Sequence, residues 1–208
     1  MLSTDFLVTM TTHVPAGTSE AEVDEVRARE AACSRELAAQ GHLLRLWRPP
    51  LRPGEWRTLG LFAASDSGQL EGLLASMPLR IWRTDEITVL ERHPDDPLGA
   101  GITGRPGKGP EFLITMTMTV PPDTPEHVVE DTSARESARA RELAERGHLV
   151  RLWSVRAEPD GGGRTLGLWR ARDPGELMAL LESLPLSGWL TIETTALTSH
   201  PNDPIRLG

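Results

Sequence analysis

The chain has 208 residues, a formal net charge of −8 and a pI near 5.3, with 22 Lys and Arg against 30 Asp and Glu. No tract dense in basic residues occurs, which argues against a nucleic-acid partner, since phosphate binding needs a cationic face. The single Cys33 excludes an intrachain disulfide and predicts a reducing, cytoplasmic setting; no secretory signal and no run of about 18 apolar residues is found, so no membrane association is expected.

The first strand is predicted over residues 4–14, where Phe6, Val8 and Met10 alternate with Leu7, Thr9 and Thr11 and Pro15 ends the run. Ser19 with Glu22 forms a capping box, and a helix follows until Gly41, a residue free to take the left-handed conformation that closes a helix. Val23, Val26, Glu30, Cys33 and Leu37 recur at helical spacing, so an acid stands in the middle of the stripe expected to face a sheet. A second strand covers 43–48, and alternation is expected to put Leu43, Arg45 and Trp47 on one face. A Pro- and Gly-rich turn leads to a third strand at 57–62, then a short helix at 67–76 ended by Met77-Pro78. A last strand at 85–91 and the tail His93-Pro94-Asp95-Asp96-Pro97 complete the series.

All of this occurs twice. Phe6 to Thr11 returns as Phe112 to Thr117, and Ser76-Met77-Pro78-Leu79 returns as Ser183-Leu184-Pro185-Leu186. The second helix starts at Thr124-Pro125, as N-cap and first-turn Pro, and stops at Gly147; its stripe is Val129, Thr132, Glu136, Arg139 and Leu143. Arg139 is placed to pair with Glu136, which predicts a second pocket more polar and cationic than the first. Strands at 149–155, 164–169 and 193–198, a Gly-rich hairpin at 156–163, a helix at 174–183 and the tail His200 to Pro204 match their counterparts. A repeat this long is a duplicated domain rather than a solenoid unit. The expected organisation is a first copy at 1–98, a Gly-rich linker at 99–110 and a second copy at 111–208. The fold class is α+β: two tandem ferredoxin-like βαββαβ domains with antiparallel sheets, expected to pack as an internal pseudo-dimer because each copy alone buries little surface.

The strand FLVTMT, the helix Glu followed by a Gly stop, the Arg-Leu-Trp-Arg of residues 45–48, Leu-Pro-Leu-x-x-Trp and the His-Pro-x-Asp-Pro tail come in an order that resembles the muconolactone delta-isomerase family. The resemblance covers about 5–97 and 111–204. It implies small ferredoxin-like subunits that form homo-oligomers with pockets completed by neighbours, and cofactor-free migration of a double bond in an unsaturated lactone. Thr58 and Thr165 stand where many members carry an Asn.

A carboxylate lifted in pKa by apolar surroundings suits such a proton transfer, because it is basic near neutral pH and can return the proton. Glu30 and Glu136 are the candidate catalytic bases. Arg45 and Arg151 are candidate clamps for a substrate carboxylate, with Trp47 and Trp153 as pocket walls and Arg57 and Arg164 as further cations. His93 and His200 in the tails are placed to reach a neighbouring copy's pocket. No His/Cys cluster has metal-ligand spacing, and Gly161-Gly162-Gly163 lies in a hairpin rather than between strand and helix, so no cofactor is expected. Alternatives stay open at this level. Glu30 and Glu136 could form structural ion pairs with Arg45 and Arg151, and each Arg could stack on its Trp. The fold could instead serve an enzyme that rearranges or cyclises a secondary metabolite, or a non-catalytic binding or assembly protein.

Overall fold

The structure is a computed structural model that describes residues 3–99, 101, 109–155 and 163–206. Most of the expected linker at 99–110 and of the expected hairpin at 156–163 lies outside these residues. The chain forms two compact units, Met1–Leu90 with Thr198–Gly208, and Glu91–Leu197.

The first repeat supplies β1 (Thr4–Thr12), α1 (Glu20–Ala39), β2 (Leu43–Arg48), β3 (Arg57–Ala64), α2 (Ser67–Ser76) and β4 (Arg83–Arg92). Its strands are ordered β4-β1-β3-β2, and every pair is antiparallel. The second repeat supplies β5 (Glu111–Met118), α3 (Glu126–Glu145), β6 (Leu149–Val155), β7 (Arg164–Arg170), α4 (Pro174–Glu182) and β8 (Leu190–Ser199), in the antiparallel order β8-β5-β7-β6. The last strand of each repeat begins earlier than expected, so Arg83 and Leu190 are strand residues rather than turn residues.

Alternation in β1 buries Phe6, Val8 and Met10, which pack with Leu37 of α1 and Leu70 and Leu74 of α2. Burying side chains of this size is worth about 1.5–3 kcal/mol each. Gly41 and Gly147 adopt φ of 77° and 81°, and the amides after each helix donate back in the double pattern of a Schellman ending: Gly41 N to Ala38 O, His42 N to Leu37 O, and the same at Gly147 and His148. Ser19 caps α1 by accepting from Glu22 N at 3.2 Å. The start of α3 differs from expectation: Pro125 is the N-cap, without a side-chain bond, and Thr124 Oγ1 donates to Pro121 O.

Gly60 in β3 makes room for its own strand neighbour. A Cβ there would lie 2.5 Å from Phe62 Cε2 and 2.9 Å from Met10 Cε, inside ordinary contact distance. Gly60→Ala is therefore expected to cost about 1–3 kcal/mol of stability through overpacking, read as a lowered urea midpoint.

The tails decide where the unit boundaries fall. Residues Thr198 and Ser199 pair with Arg48 and Trp47 of β2, and His200 N donates to Leu46 O at 3.0 Å. Asp203 is fully buried and accepts from Arg45 Nε, Leu46 N and Ser199 Oγ at 3.1, 3.1 and 2.8 Å. In the second unit, Asp96 is fully buried likewise and accepts from Arg151 Nε and Leu152 N at 3.1 and 2.9 Å. Each unit thus contains the body of one repeat and the tail of the other.

Candidate active site

The buried face of α1 is Val26, Glu30, Ser34 and Leu37. Cys33, expected on this face, is only half-buried and turns its thiol toward Ser76. Glu30 is held from two sides. Its Oε2 accepts from Leu79 N at 2.8 Å, and its Oε1 accepts from Arg83 Nη1 at 3.3 Å. Leu79 is the second residue of a 3-10 turn at Pro78–Trp82, whose first amides have no partner within the turn, so the carboxylate caps it. Arg83 is itself buried and donates through Nη2 to Asp85 Oδ2 at 3.1 Å; its Nε lies 2.6 Å from Asp85 Oδ1, in ion-pair contact but without hydrogen-bond alignment. Burial pushes the Glu30 carboxyl above its usual pKa; the Leu79 amide and Arg83 oppose the rise, and Asp85 adds to it.

Glu30 faces a cavity of about 340 Å³ in the first unit, which it shares with Arg27, Arg48, Thr58, Arg83 and His200. Arg27 is one helical turn from Glu30 and stacks over Trp56, 4.4 Å from the ring centroid. His200 arrives on the tail. Its Nδ1 accepts from Asn202 N at 3.1 Å, which leaves the proton of the neutral ring on Nε2. Burial, and then the charge of Arg48, push its pKa down to about 4 against the pull of Asp203, so it is neutral at neutral pH.

The second unit repeats this plan with different side chains. Glu136 is half-buried, and its Oε2 accepts from Leu186 N at 2.9 Å. Its pKa is raised by burial, with the Leu186 amide opposing and Asp95 adding. It lines a cavity of about 360 Å³ with His93, Asp95, Arg164, Trp169 and Leu190. The counterparts of Arg27, Arg48, Trp56 and Arg83 are Ser133, Ser154, Gly163 and Leu190, all of which line it. Among the described residues the first cavity, not the second, is therefore the more cationic. Arg139 does not pair with Glu136; its guanidinium donates to Glu142 and to Ser183 Oγ.

Of the tail histidines, His200 lines the cavity of the first repeat and His93 that of the second. Arg164 lines the second cavity, whereas Arg57, opposite Thr11, is not among the residues lining the first. Arg45, Trp47, Arg151 and Trp153 line neither, and the reason is a β-bulge. Between Leu43 and Arg45 the register against β3 slips by one residue, and the same happens between Leu149 and Arg151. A slip of one residue sends every following side chain to the other face. Leu43 and Leu46 consequently share the core, while Arg45 and Trp47 point the other way. There the Arg45 guanidinium lies 4.7 Å from the Trp47 ring centroid and pairs with Asp203; Arg151 does the same over Trp153, at 4.6 Å, with Asp96. The glutamates are thus not paired with these arginines.

Arg27 and Arg83 went unread in the sequence, and Arg48 was read only as part of the Arg-Leu-Trp-Arg run. Arg27 carried a usable signal, since it lies three residues before Glu30 on the same helix face; Arg83 carried none, because it stood in an expected turn. Among the described residues no group of three or more His, Cys, Asp or Glu is placed to hold a metal ion, and no helix is long and apolar enough to cross a membrane.

Two antiparallel α+β repeats, each with a buried or half-buried helix glutamate capping a turn beside a cavity, define the class. The muconolactone delta-isomerase family profile matches twice, at residues 4–96 and 111–203, and the chain belongs to that family. Muconolactone Delta-isomerase 1 of Acinetobacter lwoffii is 33% identical over 89 residues, which are 43% of this chain and 90% of the relative. Muconolactone Delta-isomerase of Rhodococcus opacus is 28% identical over 92 residues, 44% of this chain and 95% of the relative. Each of these relatives is therefore about one repeat long. Among solved structures, the chain is similar to a heme-binding protein from Thermus thermophilus, with a TM-score of 0.62, 13% identity and coverage of 99% of this chain and 95% of that one. It is also similar to chlorite dismutase from Candidatus Nitrospira defluvii in complex with imidazole, at TM-score 0.57 and 14% identity, covering 95% and 92%. Likeness at such identity is likeness of fold alone.

Proposed function

We propose that the first cavity is the active site of a cofactor-independent isomerase that shifts a double bond in a small unsaturated lactone of the muconolactone type. The observation that carries this reading is Glu30, a buried carboxylate of raised pKa, facing one cavity with three arginines and a neutral histidine. The strand order within each repeat supports a ferredoxin-like description of both.

In such a lactone the proton on the saturated ring carbon is acidified through the conjugated double bond. Glu30 takes that proton, and its C–H electron pair forms a new double bond while the old π pair moves toward the carbonyl. The resulting dienolate is stabilised by donors, for which the His200 Nε2–H and the Thr58 hydroxyl are the neutral candidates. The carboxyl proton of Glu30 exchanges with solvent while the dienolate is bound, and Glu30 then delivers a proton to the carbon next to the carbonyl, so the substrate's composition is unchanged. Arg27 and Arg48 supply the charge to hold a substrate carboxylate, while Arg83 is committed to Glu30 and Asp85.

The test is proton NMR of the full chain with muconolactone in D2O. Double-bond migration with deuterium at the new saturated carbon is expected for the wild type and is expected to vanish in Glu30→Gln. Absence of both exchange and migration in the wild type would reject the reading.

A further inference from the structure

Three side chains of α1 line the first cavity from successive turns of one helix face: Arg27, Glu30 and Ser34. The first two have partners, Trp56 for the guanidinium and Leu79 N and Arg83 for the carboxylate. Ser34 is different. It is 2% exposed, yet its hydroxyl has no hydrogen-bond partner among the described residues. A helical hydroxyl can find one at the carbonyl a turn earlier, as Thr132 Oγ1 does at Val128 O, 2.7 Å away in α3.

The Ser34 hydroxyl is also not sealed in. Among the described residues the side-chain atoms both closed to solvent and unpaired are Arg83 Nε, Asp85 Oδ1 and Trp169 Nε1; Ser34 Oγ is not one of them. Its small remaining surface opens on the cavity it lines. A buried hydroxyl without a bond costs about 1–3 kcal/mol, and an acceptor brought by a ligand recovers it.

The order of groups on the helix matches the order of groups on a carboxymethyl lactone. From Arg27 to Ser34 the helix rises about 10 Å, with Glu30 between them. Such a lactone has its carboxylate at one end, then the ring carbon that gives up a proton, then the carbon that receives one, and last the carbonyl. With the carboxylate at Arg27, the mobile proton falls at Glu30 and the carbonyl oxygen at Ser34. The second repeat keeps only the glutamate of this series, with Ser133, Glu136 and Ala140 at the three positions.

We infer, on the isomerase reading of the first cavity, that Ser34 Oγ–H donates to the lactone carbonyl oxygen and so sets the direction in which the substrate lies along α1. The hydroxyl keeps its proton throughout. Its bond strengthens as Glu30 removes the ring proton and charge gathers on the carbonyl oxygen.

Two ligands that cannot isomerise isolate this bond in the full chain. (5-Oxotetrahydrofuran-2-yl)acetate has both carboxylate and lactone carbonyl; (tetrahydrofuran-2-yl)acetate lacks the carbonyl. By calorimetric titration, Ser34→Ala is expected to weaken the lactone about tenfold and to leave the other ligand unchanged. Arg27→Leu is expected to weaken both alike, because both carry the carboxylate. Ser34→Ala breaks no hydrogen bond among the described residues and installs the residue of the second repeat, so its urea midpoint should not fall; a structural serine would lower it. With muconolactone, kcat is expected to drop about 10²-fold in Ser34→Ala. Failure of the lactone to bind the wild type, equal lactone affinity in wild type and Ser34→Ala, or equal weakening of both ligands by that substitution would overturn the inference. So would a loss in Arg27→Leu confined to the lactone, which would reverse the direction. The titrations need no turnover, so their failure is distinguishable from failure of the isomerase reading.

Discussion

Asp203→Ala is expected to destabilise the first unit by about 3–5 kcal/mol, the range for removing one partner of a buried ion pair. The carboxylate is fully buried and Arg45 is 13% exposed, so the guanidinium left behind cannot regain bulk water without moving the strand. The variant also strips the acceptor from Leu46 N and Ser199 Oγ. Urea unfolding followed by tryptophan fluorescence measures the loss, and Trp47 beneath Arg45 is a local reporter. Asp203→Asn should lose less, because the amide oxygen still accepts. The equivalent change in the second unit is Asp96→Ala, where Arg151 is 14% exposed beside a fully buried carboxylate. A loss below about 1 kcal/mol in either unit would put the pair in the class of surface salt bridges and reject the tail as a lock on its unit.

Glu30→Gln should lower kcat for lactone isomerisation by about 10²- to 10⁴-fold, the usual contribution of a positioned acid–base group. The amide keeps the size of the side chain and can still accept from the Leu79 amide. A companion variant, Arg83→Leu, tests electrostatics rather than the base itself. In the proposed mechanism the rate requires ionised Glu30, so it is expected to rise as pH climbs through the carboxyl pKa. Burial sets that pKa above the usual carboxylate range, and Arg83 opposes the rise. Removing Arg83 therefore raises it further, and the acid limb of the pH–kcat profile should move to higher pH. A limb that stays in place or moves to lower pH would contradict the role given to Arg83. Leucine is the residue of the second repeat at this position, Leu190, and Asp85 keeps its 2.8 Å contact with Arg80. Misfolding is therefore a poor explanation for a shifted limb.

Local signals were legible wherever the chemistry is local. The helix stop at Gly41 follows from a left-handed residue after an amphipathic run, and Glu30 stands on the inward face because helical spacing puts it there. The β2 strand is where simple periodicity fails. Strict alternation joins Leu43 to Arg45 and Trp47, but the bulge at Leu44 inserts one residue and turns Arg45 away from the cavity. A bulge of this kind leaves no mark in a pattern of apolar and polar letters. Arg83 was hidden by a boundary, since β4 begins two residues before the expected strand. Asp96 and Asp203 were present in both copies of the tail motif, whereas the residue before each differs, Asp95 in one and Asn202 in the other. That contrast was a signal, although the partner of Asp203 lies 158 positions back along the chain.

The crossed tails have an evolutionary consequence. A stop codon shortly before residue 198 would remove only the last stretch of the second copy, yet it would strip the first unit of Asp203 and the cavity of His200. Deleting the first copy would likewise remove Asp96, the buried carboxylate that Arg151 pairs with. Neither copy is a spare that can decay while its twin carries on. Loss of the second copy would therefore carry a cost to the first unit, whatever its own cavity holds.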